Sequence, residues 1–180
     1  MKRLFMSVCV TAALLAAPAF ATLGVGAKAP DFKARASIGG KQFDFALADA
    51  LKKGPVVLYF YPAAFTPGCT LEANNFATAM DDFSKLGATV IGVSADNIET
   101  LDRFSLTECR SKFPVASDAD RRIMRSYDAV VGPDAVRATR TSYVISPAGQ
   151  IVYSYSNGDY THNTEYTMDV VKKLVASQGK

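Results

Sequence analysis

Residues 56–76, VVLYFYPAAFTPGCTLEANNF, decide how this chain folds. Val56 to Phe60 are five consecutive apolar residues, mostly β-branched or aromatic, without the two-residue alternation of a half-exposed strand. A run of that kind belongs to a strand covered on both faces, so a central strand is predicted. Pro62 has no N–H to donate and ends the ladder, and Thr66-Pro67 offers a capping hydroxyl followed by proline at the first helical position. The helix predicted from there carries Cys69, Ala73, Phe76, Met80 and Phe83 at alternating steps of four and three, which places all five on one inward face. Cys69 heads the stripe.

A thiol in a first turn lies near unpaired backbone N–H groups and the positive end of the helix dipole, which favour the thiolate. Taken alone, the placement fits two readings: a nucleophilic sulfur, or a small buried hydrophobe beside ordinary capping residues. The surrounding residues separate them. Pro62-x-x-x-Thr66-x-x-Cys69, inside FYP…TPGCTLE, resembles the active-site signature of the peroxiredoxins, and within them most the peroxiredoxin Q (bacterioferritin comigratory protein) class. The resemblance continues through GAKAPDF at 26–32, ATVIGVSAD at 88–96, FPVASD at 113–118 and RTSYVIS at 140–146. It implies a thioredoxin-like α/β fold, a central mixed β-sheet flanked by helices with an N-terminal hairpin. It also implies that Cys69 is the peroxidatic cysteine, that Thr66 hydrogen-bonds its sulfur and the peroxide oxygen, and that Pro62 shields the pocket. Arg140 resembles the family's arginine at the start of a late strand, whose guanidinium stabilises the thiolate and the departing oxygen. Glu72, three residues after Cys69, fits either a partner that orients this arginine or a solvated acid of the first turn.

The chain opens with Lys2 and Arg3, a largely apolar run from Leu4 to Ala17, and Ala19-x-Ala21, the pattern of a cleavable signal peptide over residues 1–21. The run is short for a bilayer span, so a retained anchor is the weaker reading. The expected working protein is one domain over residues 22–180, periplasmic or secreted, with no membrane association after leader removal. Cleavage takes two of the 20 basic residues and none of the 17 acidic ones, leaving a formal charge of +1, which points to no nucleic-acid partner. Cys9 leaves with the leader. Cys69 and Cys109 remain, an even pair in a compartment where disulfides persist.

The Gly39-Gly40 pair predicts a hairpin turn, and Phe45 to Lys53 a short helix or turn. Ala88 to Val93 reads as a second buried strand, parallel to the first through a right-handed crossover. Asp96-x-x-Glu99 resembles a capping box opening a helix that turns Ile98, Leu101 and Phe104 inward and reaches Cys109 before Phe113-Pro114. A helix C-terminus disfavours a thiolate, so Cys109 is the better candidate for the thiol that later meets an oxidised Cys69. The more usual resolving position of peroxiredoxin Q, five residues after the peroxidatic cysteine, is Asn74 here. Either Cys109 resolves, which is the expectation, or Cys69 works alone with an external thiol. Further on, Phe113 to Ser117 reads as an edge or connecting strand, Asp120 to Tyr127 as a short helix, and Ala129 to Ala138 as a loop. Thr141 to Ile145 and Ile151 to Tyr155 read as a hairpin, and Thr164 to Ser177 as a last helix burying Met168, Val171 and Leu174. His162, the only histidine, reads as a loop residue rather than a metal ligand, and no metal or organic cofactor is expected.

These residues point to a thiol-dependent peroxidase acting on hydrogen peroxide and organic hydroperoxides, recycled by a thioredoxin-like dithiol reductant, as a monomer or a homodimer. Two other readings compete. A thiol-disulfide oxidoreductase on the same fold needs Cys-x-x-Cys at this helix start, where the chain has Thr66-Pro67-Gly68-Cys69. A non-enzymatic redox switch would use the Cys69 and Cys109 pair without turnover.

Overall fold

The computed structural model describes residues 23–178. The predicted leader therefore lies outside the described residues. Strands β1 (Lys33–Ile38) and β2 (Lys41–Ala46) lead into a short helix α1 (Leu47–Leu51), then β3 (Val56–Phe60) and the long helix α2 (Pro67–Lys85). They are followed by β4 (Thr89–Ser94), α3 (Ile98–Thr107), β5 (Val115–Ser117) and α4 (Arg122–Ser126), and then by β6 (Thr141–Ile145), β7 (Ile151–Ser156) and α5 (Asn163–Gln178). All seven strands form one sheet in the order β2-β1-β5-β4-β3-β6-β7.

β3 is at the heart of it, parallel to β4 with Leu58 opposite Ile91, and antiparallel to β6 with Leu58 opposite Tyr143. Its unbroken apolar run follows from cover on both sides. Val56, Leu58 and Phe60 face one core with Phe32, Phe45, Met124, Tyr127 and Tyr143, while Val57 and Tyr59 face the other with Cys69, Phe76, Phe104, Cys109 and Phe113. The predicted α2 stripe is fully buried in this second core. Tyr59 stacks on Phe76 with centroids 4.6 Å apart. On the neighbouring strand a Cβ at position 92 would stand 2.7 Å from the Tyr59 ring, so glycine there makes room for it.

The Gly39-Gly40 hairpin forms as expected, both glycines with positive φ. Its position in the sheet changes the reading of Phe113 to Ser117. β1 pairs antiparallel with β5, so β5 is an interior strand between β1 and β4 rather than an edge. The hairpin extends the sheet past it, and no local pattern announces that long-range pairing.

The capping box is also corrected. The N-cap of α3 is Asn97, whose side chain accepts from Thr100 N at 2.9 Å. Asp96 turns inward instead, accepting from Ala64 N and from the Ser94 hydroxyl, each at 2.8 Å. α3 stops at Thr107, so Cys109 lies just beyond the helix end, buried in the same core as Cys69.

Candidate active site

Cys69 is in the first turn of α2, 2% exposed, with a free thiol. The loop ahead of it is pinned from two directions. Asp96 holds Ala64 N, and the Phe65 ring meets Phe104 edge-on at 5.2 Å, although Phe65 takes the left-handed conformation at φ 62. Thr66 occupies the N-cap position without capping: its hydroxyl donates to Ala63 O at 3.0 Å and leaves its lone pairs free of that bond.

Arg140, immediately before β6, reaches across to the helix start. Its Nη2 donates toward Cys69 Sγ at 3.5 Å, its Nη1 bonds Glu72 Oε2, and its Nε donates to Gly158 O at 3.2 Å. The guanidinium is therefore held by three separate groups, a carboxylate, a carbonyl and the sulfur. Tyr160 adds a fourth contact, its ring centre 5.6 Å from Arg140 Cζ. A Cβ at Gly68 would stand 3.1 Å from the Tyr160 ring and 3.2 Å from Arg140 Nη2, so any larger residue there would press on both side chains.

Of the two readings of Glu72, the structure selects the orienting partner. Its side chain is fully buried, and Asn163 Nδ2 donates to its second oxygen at 2.5 Å. Burial pushes the carboxyl up to about 7, while the Arg140 charge and the Asn163 and Arg140 hydrogen bonds pull the other way. Pro62 and Arg140 line one cleft of about 370 Å³ together with Thr139, Ser156, Asn157 and Gly158. A small polar molecule entering it meets the guanidinium.

The four residues Cys69, Thr66, Pro62 and Arg140 thus gather at one helix start. Cys109 does not join them: it is fully buried among Phe104, Phe113 and the strand tyrosines, and burial first, then the Glu108 charge, pushes its thiol far above the usual range. His162 is exposed, 3.4 Å from Glu165 and stacked on Tyr166. Among the described residues no cluster of three metal-ligating side chains occurs.

Sequence reasoning missed Asn163, Tyr160 and Asp96. Asn163 looks like ordinary helix-start chemistry and Tyr160 like a loop aromatic; only the approach of α5 and its loop to α2 makes them part of the site.

The arrangement is a buried cysteine at a helix start, faced by an arginine that a buried glutamate holds, on a thioredoxin-like sheet. The chain belongs to the AhpC/TSA family, which it matches over residues 25–154. A Helicobacter pylori protein described as a Bcp peroxiredoxin is 35% identical over 140 residues, covering 75% of this chain and 89% of the relative. The barley (Hordeum vulgare) chloroplastic 2-Cys peroxiredoxin BAS1 is 32% identical, covering 83% and 77%. Among solved structures, Mycobacterium tuberculosis peroxidoxin BcpB superposes with a TM-score of 0.75 at 26% identity, over 83% of this chain and 97% of that one. Xanthomonas campestris bacterioferritin comigratory protein, described for its alkyl peroxide reduction activity, superposes with a TM-score of 0.70 at 28% identity, over 78% of this chain and 91% of that one. The chain is a peroxiredoxin.

Proposed function

We propose that this peroxiredoxin reduces hydrogen peroxide and organic hydroperoxides by a two-cysteine cycle in which Cys69 is oxidised and Cys109 resolves it. The observation that carries the first half is the Arg140 guanidinium 3.5 Å from Cys69 Sγ, with Glu72 behind it and the Pro62 cleft in front. The Cys69 thiolate attacks one peroxide oxygen, the O–O bond breaks, and Arg140 stabilises the charge on the oxygen that leaves as water or alcohol. Thr66, whose hydroxyl proton is taken by Ala63 O and whose lone pairs remain free of that bond, orients the peroxide through its hydroxyl oxygen, and Pro62 keeps bulk water from the sulfenic acid.

In the second half the Cys109 thiol attacks the sulfenic sulfur. The S–S bond forms, the S–O bond breaks, and the thiol proton leaves with the hydroxyl as water. A thioredoxin-like dithiol protein then reduces the disulfide by exchange. Cys109 must leave its apolar site to do this, and its place just past a helix end, where chain segments open locally at low cost, supports that motion. The leader pattern supports export with cleavage after Ala21, so the cycle runs outside the cytoplasm on residues 22–180; N-terminal sequencing of the exported fraction should begin at Thr22.

The deciding experiment is intact mass after one equivalent of peroxide. The cycle requires a loss of about 2 Da and no free thiol in the mature chain. A gain of about 16 Da that persists would leave Cys69 working alone.

A further inference from the structure

α2 carries a second, polar stripe that the peroxidase site does not use. Asn74, Thr78 and Asp81 follow one another at steps of four and three, so they share a face, and each holds the segment 108–112 that surrounds Cys109. Asn74 sits at the centre. Its amide Nδ2 donates to Thr70 O at 2.9 Å and to Glu108 Oε2 at 3.3 Å, and its Oδ1 accepts from Arg110 Nε at 2.9 Å. Arg110 Nη1 goes on to Thr78 Oγ1 at 3.3 Å, and Lys112 Nζ meets Asp81 at 3.2 Å.

The backbone under these bonds is strained. Arg110 and Ser111 are consecutive non-glycine residues with φ of 50 and 56, a conformation that side chains disfavour and that persists only where neighbours impose it. Beneath them the Cys109 thiol is fully buried. A strained segment, clasped from outside over a buried reactive group, opens when the clasp is released.

We propose that Asn74 is a positioning residue for the second step: with Arg110 and Glu108 it latches the 108–112 segment to α2, holds Cys109 in its buried place, and so sets the rate of disulfide formation. This rests on Cys109 being the resolving thiol. The latch touches neither Cys69 nor Arg140, so it acts on the S–S step and leaves the O–O step alone. Closed, it prolongs the sulfenic acid and exposes it to a second peroxide, which gives sulfinic acid. Its strength therefore sets how much peroxide the enzyme withstands before Cys69 is lost.

The test compares wild type with Asn74→Ala and, separately, Arg110→Ala. Arg110 is exposed and its replacement leaves the core untouched, so it stands in if the helix variant folds poorly. Stopped-flow with hydrogen peroxide, followed by alkylation and mass spectrometry, gives the two rates separately. Sulfenic acid formation should be unchanged in both variants. Disulfide formation should be faster by about fivefold for Asn74→Ala, which loses a partly buried and an exposed hydrogen bond to the segment, and less for Arg110→Ala, which loses exposed ones only. The peroxide concentration that half-inactivates the enzyme should rise in the same order, a change that a purely structural loss does not produce. Disulfide formation that is unchanged or slower in both variants overturns the latch while leaving Cys109 as the resolving thiol. A wild-type protein that forms no intramolecular disulfide overturns the two-cysteine cycle itself, and the latch with it.

Discussion

Among the described residues two cysteines are buried in one core, and their surroundings are opposite. Cys69 is at the start of a 19-residue helix with a guanidinium at its sulfur; Cys109 is past the end of a 10-residue helix with a carboxylate nearby and aromatic rings around it. Both are almost inaccessible, so exposure does not divide their roles. Charge does. Burial and the Glu108 carboxylate push the Cys109 thiol far above its usual range, whereas Cys69, equally buried, has the Arg140 guanidinium 3.5 Å from its sulfur.

The contrast is broken most severely at the sulfurs themselves. Cys69→Ser should abolish peroxide consumption with the fold intact, because a serine hydroxyl keeps the volume and is not ionised at neutral pH. Cys109→Ser should keep the first oxidation, accumulate sulfenic acid, and lose turnover with a dithiol reductant. Coupled consumption assays and mass spectrometry distinguish the two, and equal behaviour would remove the division of labour.

Next comes the cation. Arg140→Ala should slow sulfenic acid formation by about 10²–10³-fold, the usual effect of removing a preorganised charge from a developing anion, and should leave the reaction of preformed sulfenic acid with Cys109 unaltered. If both steps slow equally in single-turnover measurements, the arginine is holding the fold rather than the chemistry.

The carboxylate behind the arginine supplies a pH signature of moderate size. Glu72 ionises at about 7 in the folded chain against an ordinary 4.5. As pH falls from about 7 to 4.5 the folded protein takes up this proton before the unfolded chain does, so the contribution of Glu72 to folding stability is fully present below about pH 4.5 and is lost as pH rises through about 7. The ion pair with Arg140 is lost over the same range, and the first oxidation step should slow. Stability by denaturant titration and rate by stopped flow should therefore move in opposite directions as pH falls. Glu72→Gln should flatten this part of both profiles.

The smallest expected effect is at Asn163. Replacing it with leucine removes the hydrogen bond that lowers the Glu72 ionisation, so the midpoint of the rate profile should move above 7, with a modest loss of rate at neutral pH. An unmoved midpoint would show that Asn163 only packs there.

Most of the strand and helix order was legible because the cues are local. A five-residue apolar run, a proline that ends it, a proline that opens the next helix, and steps of four and three all act within a few residues of themselves. Where local cues competed, the reading failed. Asp96 and Asn97 both offer a capping oxygen, and the choice fell to Asn97 because Asp96 was needed by Ala64 N, 32 residues away. Thr66 likewise gave its hydroxyl to Ala63 rather than to the helix.

By itself, then, the sequence determined the central strand, the helix that follows and the position of Cys69 in its first turn, since period and proline act through the backbone of their own segment, while Arg140 was legible only through the family resemblance. Only the tertiary structure decided that β5 lies inside the sheet, that Asn163 holds Glu72, that Tyr160 closes over Arg140 and Gly68, and that Asn74 clasps the segment of Cys109. Each of these joins side chains or strands from segments far apart in the chain. A contact of that kind depends on how whole elements cross and which surface each has left to cover, and a short window of sequence carries no record of it.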